Sequence, residues 1–172
     1  AVSGACHSTG NTIRPALQLL KTKPGISSVS GFFLMEVPDC EFGDDGVFVF
    51  ADCAVNPTLD SEKLAEIAGL SAESFEAFTG GTAKVAMLSF SSMGSAKSDD
   101  VTKVADAVKI AQEKYPEVAI DGELQLDAAI VPSVAAAKAP NSKVAGHANT
   151  LVFPSLEAGN IGYKLVQRLA KA

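Results

Sequence analysis

The sequence predicts an α/β domain, a three-layer sandwich in which helices cover a mostly parallel sheet with an added hairpin. Short apolar runs alternate with helical patterns along the chain, which is typical of parallel strands joined by crossover helices. Two of these runs, 29–37 and 47–51, are separated only by an acidic, turn-forming loop, and this arrangement predicts the hairpin. The length of 172 residues and the 47% of hydrophobic residues suit one compact domain.

Capping and breaking residues predict the order of the elements. Pro15 opens a first helix that runs to residue 20, preceded by a polar loop. A second helix lies between Asn56-Pro57 and Gly80-Gly81, and Ser98 is the predicted N-cap of a third. Further strands are predicted over 84–90, from Ala119 and over 149–153, with a single helix over 127–139 and a last helix after residue 154.

Composition excludes several classes of protein. Fourteen basic against twenty acidic residues give a net charge of −6, which argues against nucleic-acid binding. No apolar run is long enough to span a membrane, and three cysteines without C-x-x-C spacing predict neither a disulfide framework nor a zinc site. We expect a cytoplasmic protein. The chain begins without Met and ends inside a helical pattern, so we also expect it to be part of something longer.

The strongest candidate site lies at the start of the first helix. Ser8, Thr9 and Thr12 supply hydroxyl groups there, and Arg14 supplies a guanidinium. Free N–H groups, hydroxyls and a guanidinium together suit a phosphate or a carboxylate. An ordinary helix cap with a surface arginine is the alternative interpretation.

Three other segments carry weaker signals. Segment 89–98 resembles a phosphate loop, but Ser91 and Ala96 stand where its glycines belong, so only an anion contact from Lys97 remains open. Segment 121–127 holds carboxylates that could bind a divalent metal, although exposed acidic residues explain it better, and we predict no metal site. Segment 154–164 has two glycines that would let a ligand approach the backbone, and Asn160 is its binding candidate. His7 and His147 have no partner at catalytic spacing.

Five long segments, in order, closely resemble the phosphate acetyltransferase (phosphotransacetylase) family. They are SGACHSTGNTIRPALQLLKTKPG, VFADCAVNPTLDSEKLAEIA, VAMLSFSSMGSAKS, DGELQLDAAIVPSVAAAKAP and FPSLEAGNIGYKLVQRLAKA. The resemblance implies transfer of an acetyl group between acetyl phosphate and coenzyme A, with inorganic phosphate as the other product. It implies coenzyme A as a substrate, no separate cofactor, and a homodimer formed through the second lobe.

The resemblance also implies a domain organisation. Family members have two α/β lobes of the isocitrate and isopropylmalate dehydrogenase type, with the active site between them. Residues 1–24 would be the inter-lobe helix region with the T-x-R-P motif, and residues 25–172 would be the second lobe.

Residue roles follow from the same resemblance. Arg14 matches the family arginine implicated in substrate binding and in stabilising the transition state, and Ser8, Thr9 and Thr12 resemble the hydroxyls of the phosphate pocket. The family motif Pro-x-Asn-Asp-Leu-Ser-Arg, with its catalytic serine and arginine, does not occur in these 172 residues, nor does the aspartate expected just beyond it. We therefore expect the chain alone to be inactive. Cys40 lies where some members have a cysteine near the cleft, and we expect it to be a bystander.

Two alternatives stay open. One is a phosphate butyryltransferase or another acyl-phosphate relative, which would differ in acyl preference. The other is a non-catalytic lobe that binds coenzyme A or mediates dimerisation. A dehydrogenase of the same fold is disfavoured because the sequence lacks G-x-G-x-x-G.

Overall fold

Five strands form one sheet in the computed structural model, which describes residues 3–172. Across the sheet their order is β1 (Phe32–Glu36), β2 (Val47–Ala51), β5 (Thr150–Val152), β3 (Lys84–Leu88) and β4 (Ala119–Leu124). β1 pairs antiparallel with β2, and the other neighbouring pairs are parallel. The predicted hairpin on a mostly parallel sheet is confirmed.

Six helices accompany these strands within the described residues. Side-chain oxygens of Asp60, Ser98 and Ser155 accept hydrogen bonds from backbone N–H groups at three of the helix starts, so the predicted cap at Ser98 is confirmed. The helices are α1 (Thr9–Leu19), α2 (Ser61–Thr79), α3 (Asp99–Lys114), α4 (Leu126–Ile130), α5 (Pro132–Lys138) and α6 (Leu156–Leu169).

The core has two parts, one on each face of the sheet. Alternate residues of the central strands point to opposite faces, so Val49 and Val85 pack with α2 and α3, whereas Phe50 and Leu151 pack with α4, α5 and α6. Helices on both faces of a sheet make three layers, as the sequence predicted.

Helix α1 begins earlier than predicted. The polar stretch 9–12 forms its first turn rather than a loop before it, and Pro15 lies inside the helix. Ser8 is the cap, because its Oγ accepts a hydrogen bond from the Asn11 N–H at 3.3 Å. Pro15 lacks a backbone N–H, so the helix loses one hydrogen-bond donor, but α1 continues past Pro15 to Leu19.

The helix predicted over 127–139 is two short helices. Val131 separates α4 from α5 with an extended backbone, φ −103° and ψ 114°. Pro132 causes the break, because the ring of a proline disfavours helical geometry in the residue before it. Pro132 then starts α5, where its missing N–H costs nothing.

Candidate functional site

Helix α1 carries Arg14 and stands apart from the core. It has no buried residue, and Arg14 is exposed. Among the described residues no hydrogen bond or ion pair engages the Arg14 guanidinium. Its five N–H donors are therefore available for a carboxylate or a phosphate.

The hydroxyls near Arg14 are not all on its side of α1. Thr12 and Arg14 are two residues apart and therefore about 200° apart around the helix. The Thr12 hydroxyl also donates to the Ser8 carbonyl at 3.1 Å. Thr9 and Thr12 share a face, whereas Gly10 and Asn11 share the face of Arg14. An anion at the helix start would meet Ser8, Thr9 and the first N–H groups, and Arg14 would have to reach it along the helix.

The carboxyl ends of the parallel strands form a second cluster of polar groups. Asp52 follows β2 and is fully buried. Its carboxylate accepts hydrogen bonds from the N–H groups of Ala54, Val55 and Asn56 at 2.8–3.0 Å. The Asn56 side-chain amide donates to the Val29 carbonyl at 2.7 Å and also contacts Asp52. This buried carboxylate thus holds the loop between β2 and α2.

Cys53 lies beside Asp52 and is inert at neutral pH. Burial, together with the negative charge of Asp52, raises the pKa of the Cys53 thiol to about 12. A thiol with this pKa stays protonated and cannot act as a nucleophile. Cys53 is fully buried and belongs to the core.

Loop 89–98, which follows β3, is ordered around Glu123. This carboxylate is 4% exposed, and its Oε1 accepts hydrogen bonds from the Ser91 hydroxyl and the Gly94 N–H, each at 2.7 Å. The Ser91 Oγ in turn accepts from the Ala96 N–H at 3.0 Å. The loop is therefore not an ordinary solvated serine-rich loop, because its hydroxyls are part of an internal network.

The acidic segment 121–127 does not gather its carboxylates. Asp121 accepts a hydrogen bond from the Gly122 N–H at 2.9 Å, while Glu123 is buried under loop 89–98. Asp127 pairs with Lys138 at 2.7 Å, and this hydrogen bond from the Lys138 ammonium holds the pKa of the Asp127 carboxyl below its usual value. Within residues 3–172 there is no group of three or more His, Cys, Asp or Glu side chains placed to hold a metal ion.

Between the ends of β3 and β5 lies a cavity of about 240 Å³, lined by residues that include Phe90, Lys103 and Ser155. The helices that follow these two strands cover opposite faces of the sheet, since α3 packs in the cluster of Val49 and α6 packs in the cluster of Phe50. Such a crevice is where α/β sheets bind ligands. The Lys103 ammonium donates to the Pro154 carbonyl at 3.0 Å and lies 3.7 Å from Asp100. The Lys103 ammonium therefore already has a carbonyl and a carboxylate of the protein as partners.

Segment 154–164 uses its polar and small residues for packing. The Asn160 amide donates to the Cys53 carbonyl at 3.2 Å, and its oxygen accepts from Lys164. A Cβ on Gly159 would lie 2.6 Å from the Asp52 carbonyl oxygen, so glycine is needed for α6 to approach β2. The prediction that these glycines admit a ligand is wrong at Gly159 and Gly162, since protein atoms fill the space.

Sequence reasoning missed Asp52 as an organising residue. A signal was present, because an aspartate directly after an apolar strand and a few residues before Asn-Pro is typical of a carboxylate that closes a turn. Glu123 belongs to the acidic segment 121–127 that the sequence singles out. Its burial under loop 89–98 could not be predicted from the residues next to it in sequence, because that loop lies about thirty positions away. Cys40 is half-buried in the loop between β1 and β2.

The fold and these contacts define an α/β domain with an ordered carboxyl edge and a separate helix that presents the unpaired Arg14 guanidinium. A model of the phosphate acetyl/butaryl transferase family matches residues 1–172, and the chain belongs to that family. No helix in the described part of the chain is long and apolar enough to cross a membrane.

Individual relatives agree with this assignment. The chain is 60% identical to the phosphate acetyltransferase of Clostridium acetobutylicum over 171 residues, covering 99% of this chain and 51% of that one. Its structure is similar to the EutD phosphotransacetylase from Staphylococcus aureus, with a TM-score of 0.88, 61% identity, and 98% of this chain and 50% of that chain covered. It is also similar to a phosphotransacetylase from Streptococcus pyogenes, with a TM-score of 0.91, 54% identity and the same coverage. The chain spans about half the length of the curated relatives it matches.

Proposed function

We propose that this chain is one lobe of a phosphate acetyltransferase, which moves an acetyl group between acetyl phosphate and coenzyme A. The observation that carries the proposal is the 60% identity to a phosphate acetyltransferase across nearly the whole chain. In the forward reaction the coenzyme A thiolate attacks the acetyl carbonyl, the C–S bond forms, and the C–O bond to phosphate breaks. Inorganic phosphate carries away the electron pair of the broken bond.

Arg14 is the proposed catalytic residue of this lobe. Negative charge develops on the carbonyl oxygen and on the departing phosphate, and a positioned guanidinium stabilises both. Its exposure and its lack of an internal partner support this role. Ser8 and Thr9 are proposed to bind the phosphoryl group at the start of α1, and Thr12 is proposed to complete this pocket by donating its hydroxyl to the Ser8 carbonyl. Asn160 is proposed as a further substrate contact.

The wider assembly belongs to the same proposal. Residues 25–172 would be the second lobe of an isocitrate/isopropylmalate dehydrogenase-like pair, joined to the other lobe through region 1–24. We propose a cytoplasmic homodimer formed through this lobe, with coenzyme A, acetyl phosphate and phosphate as its small-molecule partners.

The proposal is tested by placing this chain in a whole protein. The matching half of the Clostridium acetobutylicum relative is replaced by these 172 residues, and acetyl transfer from acetyl phosphate to coenzyme A is measured. We expect activity in the chimera and none in the chain alone. A folded chimera without activity contradicts the function, and activity of the chain alone contradicts the assignment of catalytic groups outside it.

Arg14→Ala in the chimera tests the role of the guanidinium. We expect kcat/KM for acetyl phosphate to fall about 10²- to 10³-fold, the usual loss for one contact to a developing oxyanion. Arg14→Lys keeps the charge but loses the paired donors, and it should recover only part of the activity. Lys109→Ala, which removes an exposed cation on α3, is the matched control and should change little. An unchanged kcat/KM in Arg14→Ala rejects the role.

A further inference from the structure

The helices that leave the strands decide where the carboxyl edge of the sheet is open. β5 lies between β2 and β3, and α2 and α3, which follow those two strands, cover one face of the sheet, whereas α6 follows β5 and covers the other. A ligand crevice can therefore form on either side of β5. Beside β2 the space is filled, because the Gly159 backbone packs closely on the Asp52 carbonyl. Beside β3 it is open, and the cavity of about 240 Å³ lies there.

The charges that line this cavity are already balanced. The Lys103 ammonium lies 3.7 Å from the Asp100 carboxylate and donates to the Pro154 carbonyl. Asp100 also stands in the first turn of α3, where a carboxylate offsets the positive end of the helix. The cavity therefore suits an uncharged part of a ligand. Its lining residues are Ser89, Phe90, Asp100, Lys103, Pro154 and Ser155.

Two hydroxyl groups of the lining keep a hydrogen-bond donor. The Ser89 Oγ accepts from the Ser91 N–H at 3.2 Å, and the Ser155 Oγ accepts from the Ala158 N–H at 3.3 Å. Both serines are partly exposed, and within residues 3–172 neither hydroxyl donates to a protein acceptor. Each O–H is therefore available to a carbonyl oxygen of a ligand.

Phe90 provides an exposed apolar wall. Its side chain is 60% exposed, although phenylalanine gains most when its ring is removed from water. Phe78 is similarly exposed at 67%, but its ring lies 5.8 Å from the ring of Phe32. Among the described residues no aromatic ring packs against Phe90. An apolar wall with a few polar groups is typical of a small-molecule site.

We propose that this cavity binds the pantetheine arm of coenzyme A, an inference that rests on the proposed function. The arm is uncharged and alternates amide groups with short hydrocarbon pieces. Its carbonyl oxygens accept hydrogen bonds from the Ser89 and Ser155 hydroxyls, and its methylene groups pack on Phe90. The phosphate groups of both substrates bind elsewhere, because the cation in this cavity already has a carboxylate partner.

Kinetics of the chimera test this assignment through Phe90→Ala, which removes the apolar wall. We expect KM for coenzyme A to rise about three- to tenfold, while KM for acetyl phosphate changes by less than about twofold. Phe90→Leu keeps an apolar surface and should recover most of the loss. Phe78→Ala is the matched control, because it removes an equally exposed ring far from the carboxyl edge, and it should leave both KM values unchanged.

Three kinetic outcomes overturn the proposal. The first is an unchanged KM for coenzyme A in Phe90→Ala. The second is a rise confined to acetyl phosphate, which would make the cavity an acetyl pocket. The third is an equal rise in Phe78→Ala.

Binding to the 172-residue chain supplies a measurement that does not depend on activity. S-methylpantetheine, the arm without nucleotide or free thiol, is titrated while backbone amide chemical shifts are recorded. We expect saturable changes at Phe90 and Ser155 with a Kd of about 1–10 mM, weakened at least about threefold by Phe90→Ala. Absence of saturable changes below about 50 mM, or equal binding by Phe90→Ala, overturns the proposal. Saturable binding alongside an inactive chimera would reject the proposed function and support the cavity assignment.

Discussion

Glu66 is a buried carboxylate that joins helix α2 to the segment entering β1. It is 3% exposed and accepts hydrogen bonds from the Ser27 and Ser28 N–H groups and the Ser27 hydroxyl at 2.9–3.2 Å. Lys114 lies 3.4 Å away. Burial opposes ionisation, but these hydrogen bonds and the nearby ammonium outweigh it and hold the pKa of Glu66 below its ordinary value.

Glu66→Gln should therefore destabilise the chain in a pH-dependent way. Either orientation of the amide turns its NH₂ group toward N–H or O–H donors, and the expected loss is about 1.5–3 kcal/mol at pH 7. Because the folded-state pKa is lowered, the advantage of Glu66 is complete above the ordinary value near 4.5 and is lost as the pH falls through the folded-state pKa. Urea unfolding of both proteins from pH 7 to pH 3 measures this difference.

The control for Glu66 is Glu113→Gln, which neutralises an exposed carboxylate on α3. It should change the free energy of unfolding by less than about 0.5 kcal/mol. If Glu66→Gln lowered the free energy of unfolding by the same amount at every pH, the negative charge of Glu66 would not be the cause of the stabilisation.

At the scale of elements, loop 89–98 is ordered because β4 ends beneath it. Only Oε1 of Glu123 receives the hydrogen bonds from Ser91 and Gly94. Glu123→Gln can keep that acceptor and should cost less than about 1 kcal/mol, whereas Glu123→Ala loses both bonds and should cost about 3 kcal/mol. Amide hydrogen exchange at Gly94 and Ala96 should accelerate only in the alanine variant. Equal acceleration in both variants would show that the negative charge, not the acceptor geometry, orders the loop.

Local chemistry predicted most elements well, and it failed at one break with a local cause and at positions that distant atoms decide. Apolar runs and capping residues such as Ser98 placed the strands and α3, because these signals lie within a few residues of the element. The break at Val131 was also local, since the proline after it was visible, but the Ala-rich pattern around it suggested one helix. The role of Gly159 was not predictable, because the group that requires it, the Asp52 carbonyl, lies far away in sequence.

The candidate site was predictable to a smaller degree. Arg14 was singled out because a guanidinium beside several hydroxyls at a helix start suits an anion, and because the T-x-R-P motif matches the family arginine. Its position on a different face from Thr12 followed only once α1 was known to begin at Thr9. The network around Glu123 depends on contacts between residues about thirty positions apart, which no local pattern encodes.

At the scale of the whole molecule, helix α1 and the packed core are two distinct parts of the chain. Region 1–24 was expected to be a link, and within its described part α1 has no buried residue, whereas Ser27 and Ser28 are fixed to Glu66. We therefore expect trypsin to cut first after Lys21. Arg14 and Lys23 precede prolines and resist the enzyme, and the exposed sites after Lys97 and Lys143 lie in loops that are held by internal hydrogen bonds.

The fragment that begins at Thr22 should keep a cooperative thermal transition close to that of the intact chain, because both core clusters lie beyond the cut. Mass spectrometry of early digestion products identifies the first cut, and calorimetry of the purified fragment measures its transition. Lys21→Gln is the matched control and should delay the loss of α1 without changing the transition. A fragment without a cooperative transition would mean that α1 is part of the folding unit. Cuts within 27–153 that are as fast as the cut after Lys21 would mean that this region is no better protected than the end of α1.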